Sequence, residues 1–113
     1  MEPRISISDL EPHAIEAMLG LEKYLGSVEL NASLCALIKI RASQINGCAY
    51  CIQLHAEKAR ALGETEQRIY ALSAWRESPL FTEEERAVLS ITDEVTMISD
   101  HGLSKEVYDR GLE

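Results

Sequence analysis

The stretch Arg41-Ala42-Ser43-Gln44-Ile45-Asn46-Gly47-Cys48-Ala49-Tyr50-Cys51-Ile52-Gln53-Leu54-His55 holds the end of one helix, a stop and the start of the next. Upstream of Asn46, the side chains Leu34, Leu37, Ile38, Arg41 and Ile45 recur at helical spacing over residues 32–45, and Asn31 is placed as their N-cap. Asn46-Gly47 is a turn signal. A second helix starts near residue 48 and runs to residue 62, before Gly63. On it Cys48 and Cys51 are three residues apart, Cys51 and His55 four, and Cys48 and His55 seven. One helical stripe therefore carries both thiols and the imidazole. It continues through Ala59 and Leu62, which turns it towards protein and sets the thiols in a partly buried cleft.

Outward from this hairpin the chain remains helical. Prolines occur only at Pro3, Pro12 and Pro79, and strong helix formers dominate the composition. Nowhere do β-branched and polar residues alternate over a strand's length. A helix over 12–25 opens on Pro12, ends at Gly26 and turns Ile15, Met18, Leu19 and Leu25 to one side. Another runs from residue 65 to about 74, and Ser78-Pro79 breaks the chain. Thr82-Glu83-Glu84-Glu85 reads as a capping box for a helix over 83–99 with a buried stripe of Val88, Ile91, Val95 and Ile98. A short helix follows Ser104. Six helices with short connections make an all-α bundle of neighbouring antiparallel helices, with the Cys-x-x-Cys at the start of a central helix.

At 113 residues the chain has the length of a single domain, with 46% hydrophobic and 27% charged residues, enough for an ordinary core. Nineteen acids against eleven bases give a net charge of −8, which argues against nucleic acid as a partner. No apolar run approaches the ~20 residues of a membrane span, and no export signal opens the chain. The odd count of three cysteines then points to a reducing, cytoplasmic setting, where paired cysteines mean redox or metal chemistry.

The thiolate is the reactive species, and a free cysteine at pKa ~8.5 is mostly protonated at neutral pH. The positive end of the helix after Gly47 lowers that value, and His55 can accept the thiol proton. The helix end favours Cys48 as the more acidic thiol, because it is nearer the start. The second cysteine is placed to attack an oxidised sulfur and close a disulfide. Zinc is the competing chemistry and would need a fourth ligand, for which Cys35 or His101 are the candidates. A c-type haem site is excluded because Ile52 follows Cys51. Thioredoxin is disfavoured because no βαβ pattern surrounds the motif.

The segment from Arg41 to Cys51, followed by His55, resembles the core motif of the AhpD-like alkylhydroperoxidases of the carboxymuconolactone decarboxylase superfamily. The resemblance extends from Pro3 through Leu19-Gly20-Leu21-Glu22-Lys23-Tyr24-Leu25 to Ala59-Arg60-Ala61-Leu62-Gly63-Glu64 and Ala71-Leu72-Ser73-Ala74-Trp75-Arg76. It implies one all-α domain over residues 1–113 and a homo-oligomer, as dimer, trimer or hexamer. The implied activity is reduction of organic hydroperoxides in antioxidant defence, without haem, flavin or metal. A dithiol of the lipoyl or thioredoxin-like kind would restore the thiols. By motif position Cys51 would be the peroxidatic cysteine, Cys48 the proton donor and resolving cysteine, and His55 the base of a proton relay. Two departures stand out. The family's relay glutamate, twelve residues before the first cysteine, is Ala36 here, with Glu16, Glu22 or Glu64 as possible replacements. Relatives also continue past Val107-Tyr108-Asp109-Arg110 into further helices, whereas this sequence ends at Glu113. A second class of function remains: a catalytically weakened oligomeric or zinc-binding relative acting as a binding module.

Elsewhere plainer roles are expected. Cys35 reads as a packing residue, His13 and His101 as exposed helix-edge residues, and Trp75 and Tyr70 as anchors of the core or a subunit contact. Tyr50 projects off the cysteine face. Lys39 and Arg41 form a solvated face, unless Arg41, which falls on the apolar stripe, has a buried acidic partner. Glu83–Glu85 complement a helix N-terminus.

Overall fold

The computed structural model describes residues 4–28 and 30–112, so Pro3 and Glu113 lie outside it. The chain divides into two units, Met1–Leu30 and Asn31–Glu113. Among the described residues every regular element is helical, as the residue pattern predicts. None of these helices is long and apolar enough to cross a membrane.

The first unit holds α1 (Ile7–Leu10) and α2 (Pro12–Gly26). Pro12 sits in the first turn of α2, where its missing N–H costs nothing. The stop differs from expectation. Gly26 is the last helical residue, and Ser27 closes the helix, its Oγ donating to Tyr24 O at 2.6 Å. The face expected to be covered is open: α2 buries no residue, and Met18, Leu19 and Leu25 are exposed.

The second unit contains α3 (Ala32–Asn46), α4 (Ala49–Ala61), α5 (Glu66–Ala71), a 3-10 helix (Leu72–Glu77), α6 (Glu83–Thr96), α7 (Ile98–His101) and α8 (Lys105–Gly111). Asn31 caps α3 as expected, its Oδ1 accepting from Ser33 N at 2.8 Å and Leu34 N at 3.2 Å. α3 packs against α4, α6 and the 3-10 helix. The core joins Ala36, Leu37 and Ile40 of α3 to Ala56 and Ala59 of α4, Ile69 of α5, Leu72 and Trp75 of the 3-10 helix, Phe81, and Leu89 of α6.

Two helices of this unit differ from the sequence reading. The helix expected over 65–74 tightens after Ala71 and loses helical geometry at Ala74 (φ −128°, ψ 39°). Arg86 collects the carbonyls this leaves, donating to Trp75 O and Ser78 O at 3.1 Å and to Arg76 O at 2.9 Å. The helix expected over 83–99 ends at Thr96, and α7 ends against Gly102, whose φ of 75° breaks the path. The Thr82 capping box forms, with Thr82 Oγ1 accepting from Glu85 N at 3.1 Å and Thr82 N donating to Glu85 Oε1 at 2.8 Å. Yet the buried face of α6 is Leu89, Ser90, Thr92 and Asp93, while Val95 and Ile98 are exposed. Ser90 and Thr92 turn their hydroxyls back onto Arg86 O and Val88 O at 2.9 Å, so their burial leaves no donor unmet.

Candidate functional site

The cysteine pair is placed by the turn between α3 and α4. Gly47 takes the left-handed conformation (φ 69°) that favours glycine, and Cys48 N–H returns to Ser43 O at 3.1 Å. Only Gly47 and Cys48 separate the helices, so the Cys-x-x-Cys falls on the N-terminus of α4. Cys48 is not in the helix, as the stripe argument assumed. It is the N-cap, with extended backbone (φ −91°, ψ 97°) and a side chain folded over the helix end, Sγ accepting from Cys51 N at 3.2 Å. Cys51 and His55 do share a helical face, one turn apart.

Cys48 and Cys51 are joined as a disulfide, with Cα atoms 5.3 Å apart, inside the ~4.4–6.8 Å such a bond accepts. Both are half-buried, as is His55. The stripe runs into protein through Ala59, which is fully buried, but not through Leu62, which is half-exposed. Tyr50 projects from the pair and is 75% exposed.

Ala36 is buried in the same core cluster as Ala56 and Ala59, so a methyl group occupies the place where the resemblance expects a carboxylate. Of the possible substitutes, Glu64 is held elsewhere: its Oε1 lies 2.9 Å from Arg68 Nε and accepts from Thr65 N at 3.0 Å. Glu16 lies 3.5 Å from His13 on an exposed face of α2. Cys35 is a half-buried free thiol, and His101 is exposed beside Gly102 O. Among the described residues no three His, Cys, Asp or Glu side chains are grouped to hold a metal ion, so the ligand set required for zinc does not assemble there.

Behind the hairpin lies a charged cluster whose acidic member the sequence reading missed. Arg41, from the motif itself, donates to Asp93 through Nε at 2.7 Å and Nη2 at 3.2 Å. Arg76 Nη1 adds a bond at 2.6 Å and Trp75 Nε1 another at 3.2 Å. The Arg76 guanidinium also lies 4.4 Å from the Trp75 ring centroid. Burial pushes the Asp93 carboxyl up, but the bonds from Arg41 and Arg76 outweigh it and hold its pKa below the ordinary aspartate value. Trp75 is thus a core anchor, as expected, whereas Tyr70 is exposed.

The sequence pattern of the carboxymuconolactone decarboxylase family matches residues 12–94, the span from the start of α2 to the Asp93 cluster. The chain belongs to this family. Within it the chain is AhpD-like. It is 42% identical over 110 residues to the uncharacterized protein YdfG of Bacillus subtilis, covering 97% of this chain and 75% of YdfG. A crystal structure of a protein of unknown function from Agrobacterium tumefaciens, assigned provisionally as the antioxidant defence protein AhpD, superposes with a TM-score of 0.94. That protein is 40% identical, and the match covers 98% of this chain and 76% of the other. The uncharacterized protein YnjA of Escherichia coli is 29% identical over 58 residues, 51% of this chain and 32% of YnjA.

Proposed function

We propose that this family member is a thiol peroxidase that reduces organic hydroperoxides through the Cys48/Cys51 pair. The observation that carries the reading is the pair itself, bonded across the first turn of α4 with His55 one turn beyond. One sulfur takes the terminal peroxide oxygen as a sulfenic acid, releasing an alcohol. The other displaces that oxygen as water and closes the disulfide. His55 moves the proton of Cys51, its neighbour along the helix face. A dithiol donor then returns both thiols by exchange.

Stoichiometric cumene hydroperoxide added to the reduced protein is expected to remove two thiols and two hydrogens from the peptide holding both cysteines, reversibly with dithiothreitol. A stable sulfinic acid on either cysteine, with the other still a thiol, contradicts the paired cycle. Self-association belongs to the same proposal. Met18, Leu19, Leu21 and Leu25 stand exposed on α2, and apolar surface of this kind usually marks an interface. A multiple of the chain mass is expected by light scattering at micromolar concentration, and a strictly monomeric mass refutes it.

A further inference from the structure

We propose that Asp93 is a positioning residue for the cysteine pair: through Arg41 it holds the end of α3 that carries Cys48, and so favours the disulfide over the two thiols. The two cysteines are held by different elements. Cys51 rides in the first turn of α4. Cys48 is fixed by the end of α3, its N–H bonded to Ser43 O at 3.1 Å while Gly47 N–H bonds to Gln44 O at 3.2 Å. These two bonds are the closure by which a helix stops on a left-handed glycine. Cys48 is thus the last residue of the α3 stop and the cap of α4 at once, and where Ser43 and Gln44 lie decides where its sulfur lies.

Arg41 stands one turn before Gln44 and ties this stop to the rest of the second unit. Its Nε and Nη2 take both carboxylate oxygens of Asp93 on α6, at 2.7 and 3.2 Å. Its Nη1 reaches Gln44 Oε1 at 3.5 Å and Ser73 O at 3.4 Å. A guanidinium forked on a carboxylate is fixed in direction as well as distance. Asp93 therefore orients Arg41, Arg41 steadies the last turn of α3, and that turn places Cys48 against Cys51. A thiol held beside its partner closes a disulfide at a higher effective concentration than one on a loose turn. This positioning role rests on the peroxidase reading for its purpose and on the reversible disulfide alone for its measurement.

The measurement is the exchange equilibrium of the full chain in mixtures of oxidised and reduced dithiothreitol. The protein disulfide and one reduced dithiothreitol give two protein thiols and the cyclic oxidised reagent, two electrons and two protons passing to the protein. Asp93→Asn keeps the shape of the side chain and loses its charge. Its disulfide should be reduced more readily, by about tenfold in the equilibrium constant, which is ~30 mV for two electrons. Arg41→Lys keeps the charge but loses the fork, and should shift the constant in the same direction. Arg76→Ala strips a bond from the same carboxylate on the side of the 3-10 helix, not of α3, and should leave the constant at its wild-type value. Residue 93 cannot alter exchange in the unfolded chain, where it is far from the pair. Asp93→Asn must then cost more stability in the oxidised than in the reduced protein, by the same factor as the exchange shift. A purely structural role lowers both forms equally and leaves the constant unmoved. An unmoved constant in Asp93→Asn or in Arg41→Lys overturns the proposal, as does an equal shift in Arg76→Ala. If Asp93→Asn does not fold, Arg41→Lys decides alone. Hydroperoxide turnover with an unmoved constant refutes the positioning and leaves the peroxidase reading intact. A shifted constant in a protein that consumes no hydroperoxide keeps the positioning and ends the peroxidase reading.

Discussion

Replacing Asp93 with alanine is expected to lower the unfolding free energy by about 3–5 kcal/mol, the usual cost of breaking a buried ion pair from one side. The carboxylate is 1% exposed and joins α3, α6 and the 3-10 helix through Arg41, Trp75 and Arg76. Its removal leaves the two arginines unequally stranded. The Arg41 side chain is only 14% exposed, whereas that of Arg76 is 56% exposed. Arg41→Ala should therefore cost clearly more than Arg76→Ala, which loses a partly solvated bond and a stacking contact. Native domains have ~5–15 kcal/mol in hand, so Asp93→Ala should shift a urea midpoint by a large fraction. The pH dependence has a definite sign. The folded pKa of Asp93 is depressed, so its stabilisation is fully present above the ordinary aspartate value of ~3.9 and is lost as pH falls through the lower folded value. Acid unfolding below about pH 4 should be blunted in Asp93→Asn. Similar urea midpoints for wild type and Asp93→Ala would show the cluster to be energetically idle.

The same carboxylate marks where the sequence stops being legible. Hydropathy alone turns α6 so that Val95 and Ile98 face inward, because a lone aspartate is costly to bury. Asp93 can be buried only because its partners come from positions 52, 18 and 17 residues away, and no local pattern announces such an arrangement. Arg41 gave half of the signal, since it interrupts an apolar stripe and so asks for a buried acid, but nothing in its neighbourhood names which one. The features that were legible are those decided within a few residues: the Asn31 cap, the Thr82 capping box and the Gly47 turn that delivers the cysteines. At the cysteines, spacing gave the right partners but one wrong detail. A regular helix through residues 48–62 puts Cys48 on the His55 stripe, whereas the turn uses it as the cap. The end of the fifth helical segment near Ala74 was legible from the sequence, whereas its tightening to a 3-10 helix after Ala71 has no local mark.

On the peroxidase reading, placing a carboxylate at residue 36 with Ala36→Glu is expected to raise hydroperoxide turnover, at a cost in stability. General acid–base assistance by a well-placed group is worth roughly 10²–10⁴-fold. A gain at the lower end, about 10²-fold, is expected here, because the new side chain must first find room. Ala36 is 7% exposed and packed with Ala56 and Ala59, so the added atoms overfill a core that costs about 1–3 kcal/mol to disturb. The two effects separate in measurement. The stability loss appears in the urea midpoint whether or not His55 is present, since it comes from packing. The rate gain should vanish in a His55→Ala background, since a carboxylate acting through the imidazole has nothing to orient once the ring is gone. A variant that folds, loses the expected stability and turns over no faster would mean that another acid already orients His55. Glu64 is the poorest candidate for that part, because Arg68 and the Thr65 amide hold its carboxylate.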